Sequence, residues 1–82
     1  MTDSSLHRAT WRQLKTFVTV AKLGSVSEAA KELHITQPAV SMQLRDLESH
    51  CGIALYERIG RRIELTDAGR EMANCGRAVA EQ

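Results

Sequence analysis

The sequence predicts a mainly α domain: a three-helix core, a short β-hairpin, and a further helix that continues to the end of the 82-residue chain. Three observations predict it. Apolar residues recur at helical spacing in four separate segments. Each of those segments opens on a serine or threonine suited to capping a helix. Between the third and fourth lies a stretch with strand character around Ile59-Gly60-Arg61.

The first helix is expected to open at Thr10, because Thr10-Trp11-Arg12-Gln13 fits a capping box. Leu14, Phe17, Val18 and Ala21 then form an i, i+3, i+4, i+7 stripe, and Gly24 is placed to stop the helix. A second capping box, Ser25-Val26-Ser27-Glu28, starts the next helix, whose apolar positions are Val26, Ala29, Ala30 and Leu33. The paired alanines are small enough to let another helix approach closely. His34-Ile35 connects to Thr36, a third N-cap, with Gln37 and Pro38 in the first turn, where proline is tolerated.

The third helix is expected from about Gln37 to Cys51. Val40, Leu44, Leu47 and Cys51 share its buried face. Pro38, Met42, Arg45, Asp46 and Ser49 lie on the opposite face, with Ser41 on the flank. After Gly52 the helical period stops. Leu55-Tyr56-Glu57-Arg58 and Arg62-Ile63-Glu64-Leu65 are strand candidates for a hairpin. Thr66 caps a fourth helix, with Asp67 favourably placed at its N-terminal dipole. Leu65, Ala68, Met72, Cys75 and Val79 repeat along this helix in alternating steps of three and four. Two helices joined by a short turn, followed by a basic-tipped hairpin, make a winged helix-turn-helix. The expected division is 1–65 for that domain and 66–82 for the start of a linker or dimerisation helix.

Composition narrows the function. One domain is expected at this length, and 43% hydrophobic with 26% charged residues is ordinary globular composition. No apolar run is long enough to span a membrane, and the N-terminus lacks the apolar stretch of a signal peptide. Two cysteines, Cys51 and Cys75, are too few for a secreted disulfide framework, so a cytoplasmic, nucleoid-associated location is expected. Enzymatic readings fail on inventory. His7, His34 and His50 are scattered, no His or Cys pair has zinc-ligand spacing, and there is no glycine-rich phosphate loop. Cys51, on the apolar stripe, is expected in the core.

The net charge of +1 conceals an uneven distribution. Residues 1–24 carry +3 and residues 58–62 carry +3, whereas 25–57 carry −3 and 63–82 carry −2. Both positive blocks fall on segments that a winged helix-turn-helix can turn toward nucleic acid. In the third helix, Gln37 and Ser41 can hydrogen-bond base edges, Arg45 can reach guanine or the backbone, and Met42 can contact a thymine methyl. The free amides near Thr36 can receive a phosphate. Arg58, Arg61 and Arg62 suit the minor groove or its phosphates, and Arg12 and Lys15 could clamp a second phosphate stretch. Each of these also has a plainer reading as solvated surface.

Phe17-Val18, Gly24-Ser25, Ala29-Ala30, Leu33 to Ser41 (LHITQPAVS), Leu47-Glu48, Gly52, Leu55-Tyr56-Glu57-Arg58 and Leu65-Thr66-Asp67-Ala68-Gly69 resemble the DNA-binding domain of LysR-type transcriptional regulators. The resemblance covers roughly residues 11–71. It implies a sequence-specific DNA-binding regulator that recognises an inverted-repeat promoter site in double-stranded DNA. Gln37, Pro38 and Ser41 match the family's contact positions on the recognition helix, and Arg61 matches its basic wing residue. Met42 stands where the family often has arginine, so a base preference does not transfer from other members. The stretch QPAVSMQ, residues 37–43, is similar to that of regulators of Calvin-cycle carboxylase operons, and also occurs elsewhere in the family.

Met72, Cys75 and Val79 are expected to lie beyond the reach of a small core and to pair with another subunit, and the resemblance implies a homodimer through this fourth helix, with a higher oligomer possible at full length. No cofactor is expected in this domain. A small-molecule effector is expected only for a C-terminal domain that the chain lacks, so the chain reads as an N-terminal piece. The competing reading is a helical protein-interaction module that uses the exposed Met42 face and the Met72/Val79 seam.

Overall fold

The computed structural model describes the backbone of residues 4–60 and 62–80, and side chains over 10–60 and 62–75. Its elements are α1 (Ser4–Leu23), α2 (Val26–Leu33), α3 (Gln37–Cys51), β1 (Tyr56–Ile59), β2 (Arg62–Leu65) and α4 (Asp67–Ala80). The order is the one the sequence predicts. No helix among the described residues is long and apolar enough to cross a membrane.

α1 begins earlier than expected. Thr10 lies inside it rather than at its N-cap. Ser4 to Ala9 contains neither proline nor glycine, so nothing there interrupts the i→i−4 bonding that displaces a local cap. Its buried face also differs from the predicted stripe. Gln13, Thr16, Phe17 and Val20 are buried, while Leu14, Val18 and Ala21 are half-buried. Two polar residues can occupy that face because α3 supplies partners. The Thr16 hydroxyl donates to Gln43 Oε1, and His50 Nδ1 lies 2.9 Å from Gln13 Oε1. A buried polar group without such a partner would cost about 1–3 kcal/mol.

The two helix-turn junctions follow the predicted chemistry. Gly24 takes φ 71°, and its amide donates to Val20 O at 2.7 Å. Ser25 accepts from the Glu28 amide, forming half of the capping box. The Glu28 carboxylate turns instead to Lys31 at 3.7 Å. His34 adopts a left-handed conformation, φ 58°, that closes α2. Thr36 then caps α3 by accepting from the Ala39 amide at 3.2 Å.

Phe17 and Val20 of α1, Val26, Ala29 and Ala30 of α2, and Val40, Leu44 and Leu47 of α3 meet in one core, joined by Leu55 and Ala73. Cys51 does not join it. The residue is exposed, because α3 ends at Gly52 and the chain leaves through exposed Ile53 and Ala54. Leu55 supplies the next buried side chain. Consequently the first strand starts at Tyr56, one residue later than expected.

β1 and β2 form an antiparallel pair with Tyr56 opposite Leu65 and Ile59 opposite Arg62. Gly60, at φ 64°, takes the positive φ favoured in tight hairpin turns. The hairpin is anchored at three points. The Ile63 amide reaches Gly24 O at 3.5 Å, the Thr66 amide donates to Leu55 O at 3.1 Å, and the Thr66 hydroxyl donates to Ala54 O at 2.8 Å. Thr66 Oγ1 also accepts from the Gly69 amide at 3.0 Å, which caps α4 as predicted.

α4 returns across α1. Its buried positions are Gly69 and Ala73, flanked by half-buried Leu65, Ala68 and Met72. Met72 was expected to lie beyond the reach of this core. It packs against the core instead, because Gly69 and Ala73 are small enough to bring α4 close. Cys75 is exposed, and the Val79 side chain lies outside the described residues.

Candidate nucleic-acid interface

The site is built on the N-terminal half of α3. Thr36, Gln37 and Pro38 are exposed at its first turn. Pro38 sits where its missing N–H removes no helical hydrogen bond. One turn on, Ser41 is half-buried, and Met42 is 55% exposed. Arg45 is exposed on the next turn. The face opposite Val40, Leu44 and Leu47 therefore presents amide, hydroxyl, thioether and guanidinium groups in succession.

Side chains from two neighbouring elements hold this face. Gln37 Nε2 donates to Ser27 Oγ of α2 at 3.4 Å. Arg58 Nη2, from β1, donates to Ser41 Oγ at 3.1 Å. The second bond brings the wing against α3 and puts two of the predicted contact residues in direct touch. Tyr56 reports the same proximity. Burial pushes its hydroxyl pKa up from 10.0, the Glu48 carboxylate pushes in the same direction, and Arg58 and Arg45 both oppose them. Arg45 and Arg58 therefore act on one spot from two elements. Glu48 is itself fixed, accepting from the Leu55 amide at 2.8 Å.

Between α2, α3 and the wing lies a cleft of about 530 Å³, lined by residues that include Ser25, Ser27, Gln37, Arg58 and Gly60. The N-terminus of α2 opens onto it, where backbone amides favour an anion. Glu28 at its edge is paired with Lys31. Ser25 and Ser27 line this cleft, where the sequence pointed only to helix capping by the Ser25-Val26-Ser27-Glu28 box. The clue lay in two hydroxyls at a helix start, but only tertiary contact shows that the start faces α3.

Arg62 is exposed on β2 and lies 4.0 Å from Glu64, an open ion pair of the kind that contributes little and is readily exchanged. Arg61 lies outside the described residues. Arg12 and Lys15 are exposed on α1, and no hydrogen bond or ion pair among the described residues ties either to α3 or the wing. Met72, Cys75 and Val79 are on α4, away from this face.

Comparison with known proteins agrees with this geometry. The sequence profile described as bacterial regulatory helix-turn-helix protein, lysR family, matches residues 11–70. A RuBisCO operon transcriptional regulator of Allochromatium vinosum is 50% identical over 70 residues, which cover 85% of this chain and 23% of that protein. The HTH-type transcriptional regulator CfxR of Cupriavidus necator is 54% identical over 67 residues, 82% of this chain and 21% of the relative. The chain thus spans less than a quarter of the length of these curated relatives. Among solved structures, the CbnR DNA-binding domain in complex with DNA superposes with a TM-score of 0.82 at 44% identity, covering 87% of this chain and 82% of that one. Helix order, hairpin wing and sequence agree, and the chain belongs to the LysR family of bacterial regulatory helix-turn-helix proteins.

Proposed function

We propose that this chain is the DNA-binding head of a transcription regulator. It binds an inverted-repeat promoter site as a dimer, with α3 in the major groove and the wing along the backbone or minor groove. The observation that carries this reading is the Arg58–Ser41 bond, which sets the basic hairpin beside the exposed face of the recognition helix. Gln37, Ser41, Met42 and Arg45 would meet base edges. Thr36, the α2 N-terminus, Arg58, Arg61 and Arg62 would meet phosphates, which fix register without reading sequence. Arg12 and Lys15 would extend the phosphate footprint. The solved relative is itself a DNA complex, which supports DNA as the partner.

Dimerisation would use the outer face of α4, where Cys75 is exposed. Because Met72 packs inward, it would contribute at the margin of that interface rather than at its centre. Two-fold symmetry then requires two half-sites related by inversion. Two relatives are 50–54% identical, and one of them is named for a RuBisCO operon. A promoter of that kind is therefore the first natural target to test.

The test is selection of duplexes from a random-sequence pool by the purified chain, followed by affinity measurement across a salt series. We expect enrichment of an inverted repeat, and a logarithmic affinity that falls by about 0.9 per neutralised phosphate for each decade of salt. Absence of any enriched duplex, or affinity indifferent to salt, would refute the reading. Capture of a protein partner under those conditions would favour an interaction module built on Met42 and the Met72/Val79 seam.

A further inference from the structure

We infer that Arg58 is a positioning residue that determines specificity through Ser41, rather than only a basic contact to the DNA backbone. The inference rests on the proposed docking of α3 in the major groove. A serine hydroxyl offers one donor and two acceptor lone pairs. Left to rotate, it can accept from the cytosine or adenine amino group or donate to purine N7, guanine O6 or thymine O4, and so discriminates little. Here Arg58 Nη2 donates to Ser41 Oγ at 3.1 Å. A guanidinium has no acceptor, so this contact has only one polarity. It occupies one of the two oxygen lone pairs and turns the hydroxyl hydrogen away from Arg58. Ser41 thereby keeps its one donor for the groove with a single lone pair left to accept, which biases it toward base edges that offer acceptor atoms and away from the cytosine edge, which offers only a donor.

Two further features support the assignment. Ser41 is half-buried on the flank of α3, and Arg58 comes from a β1 strand held by its pairing with β2. The other polar residue in the first turns, Gln37, is held in the same manner by Ser27. That bond uses one amide hydrogen and leaves Gln37 Oε1 and the second hydrogen available for adenine. Neighbouring elements thus set both polar readers before DNA arrives, which reduces the ordering cost of binding.

The experiment compares the unaltered chain with Ser41→Ala, Arg58→Ala and the double variant. The probes are the duplex selected from the random pool and its single-base derivatives. Ser41→Ala locates the base pair that Ser41 reads. At that pair we expect Arg58→Ala to reduce discrimination against cytosine about three- to tenfold, the range spanned by one hydrogen bond. We expect no further loss when Arg58→Ala is added to Ser41→Ala. Coupling of this kind appears as non-additivity in the cycle. Thermal melting of Arg58→Ala should be unchanged, since Arg58 is exposed and lies outside the core. An Arg58→Ala loss spread equally over all four bases and adding in full to that of Ser41→Ala would overturn the inference. So would a Ser41→Ala variant with unchanged base preference. Failure of the unaltered chain to select any duplex would refute the proposed function itself, a distinct result.

Discussion

Gly69 is where the packing of α4 can be tested most sharply. By helix propensity alone, Gly69→Ala should stabilise the first turn of α4 by about 0.8–1 kcal/mol. The tertiary structure reverses that sign. A Cβ at this position would lie 1.9 Å from Leu55 O and 2.9 Å from Leu55 C, both backbone atoms with no rotamer to change. Either α4 or the Ala54–Leu55 segment must move by about 1 Å or more. That same carbonyl accepts from the Thr66 amide at 3.1 Å, and Thr66 Oγ1 donates to Ala54 O at 2.8 Å. Overpacking costs about 1–3 kcal/mol, and loss of the two hydrogen bonds adds about 1 kcal/mol each. After the gain in propensity, Gly69→Ala should destabilise the domain by about 2–4 kcal/mol. In a domain of this size each kcal/mol shifts Tm by about 4–8 °C. Far-UV circular dichroism, by heat and by urea, measures the change. Gly60→Ala is the comparison, since it combines φ 64° with open space and should cost only the left-handed strain of about 1–2 kcal/mol. A Gly69→Ala variant as stable as the unaltered chain would refute the close approach of α4 to Leu55.

Two further outcomes follow from caps and charges. Thr36→Ala removes the hydroxyl that accepts from the Ala39 amide, and should cost about 1 kcal/mol in a urea melt. It should also weaken DNA binding, because the frayed turn carries Gln37 and Pro38; equal affinity would disconnect the cap from the interface. Tyr56 is held neutral by burial first and by Glu48 second, so the folded chain keeps the phenolic proton more tightly than the unfolded one. That contribution is complete below pH 10.0 and is lost as pH rises through the higher folded value. Tyr56→Phe should therefore show a smaller fall in Tm above pH 10 than the unaltered chain, whereas parallel curves would contradict the shift.

The helix count, the α2–α3 turn and the hairpin were legible because each rests on local chemistry. Ser25, Thr36 and Thr66 accept from amides three residues on, and Gly24, Gly52 and Gly60 take positive φ. Local signals failed where long-range partners decide. Gln13 reads as part of a capping box and Thr16 falls off the apolar stripe, yet both are buried because His50 and Gln43 meet them from α3. Cys51 continues the apolar period but falls where the helix ends, and the buried place passes to Leu55. Met72 reads by spacing as lying beyond the core, but is half-buried against it beside Gly69 and Ala73.

By itself, the sequence determined a winged helix-turn-helix with a polar, arginine-bearing face on its third helix. Caps, periods and turn residues act within a few positions along the chain, so they can be read without coordinates. Only the tertiary structure decided that Arg58 meets Ser41 and that Ser27 meets Gln37, and with them how the base-facing groups are presented. Those pairs lie 17 and 10 residues apart. Their meeting depends on how the wing and α2 pack around α3, a relation that no periodicity along the chain encodes.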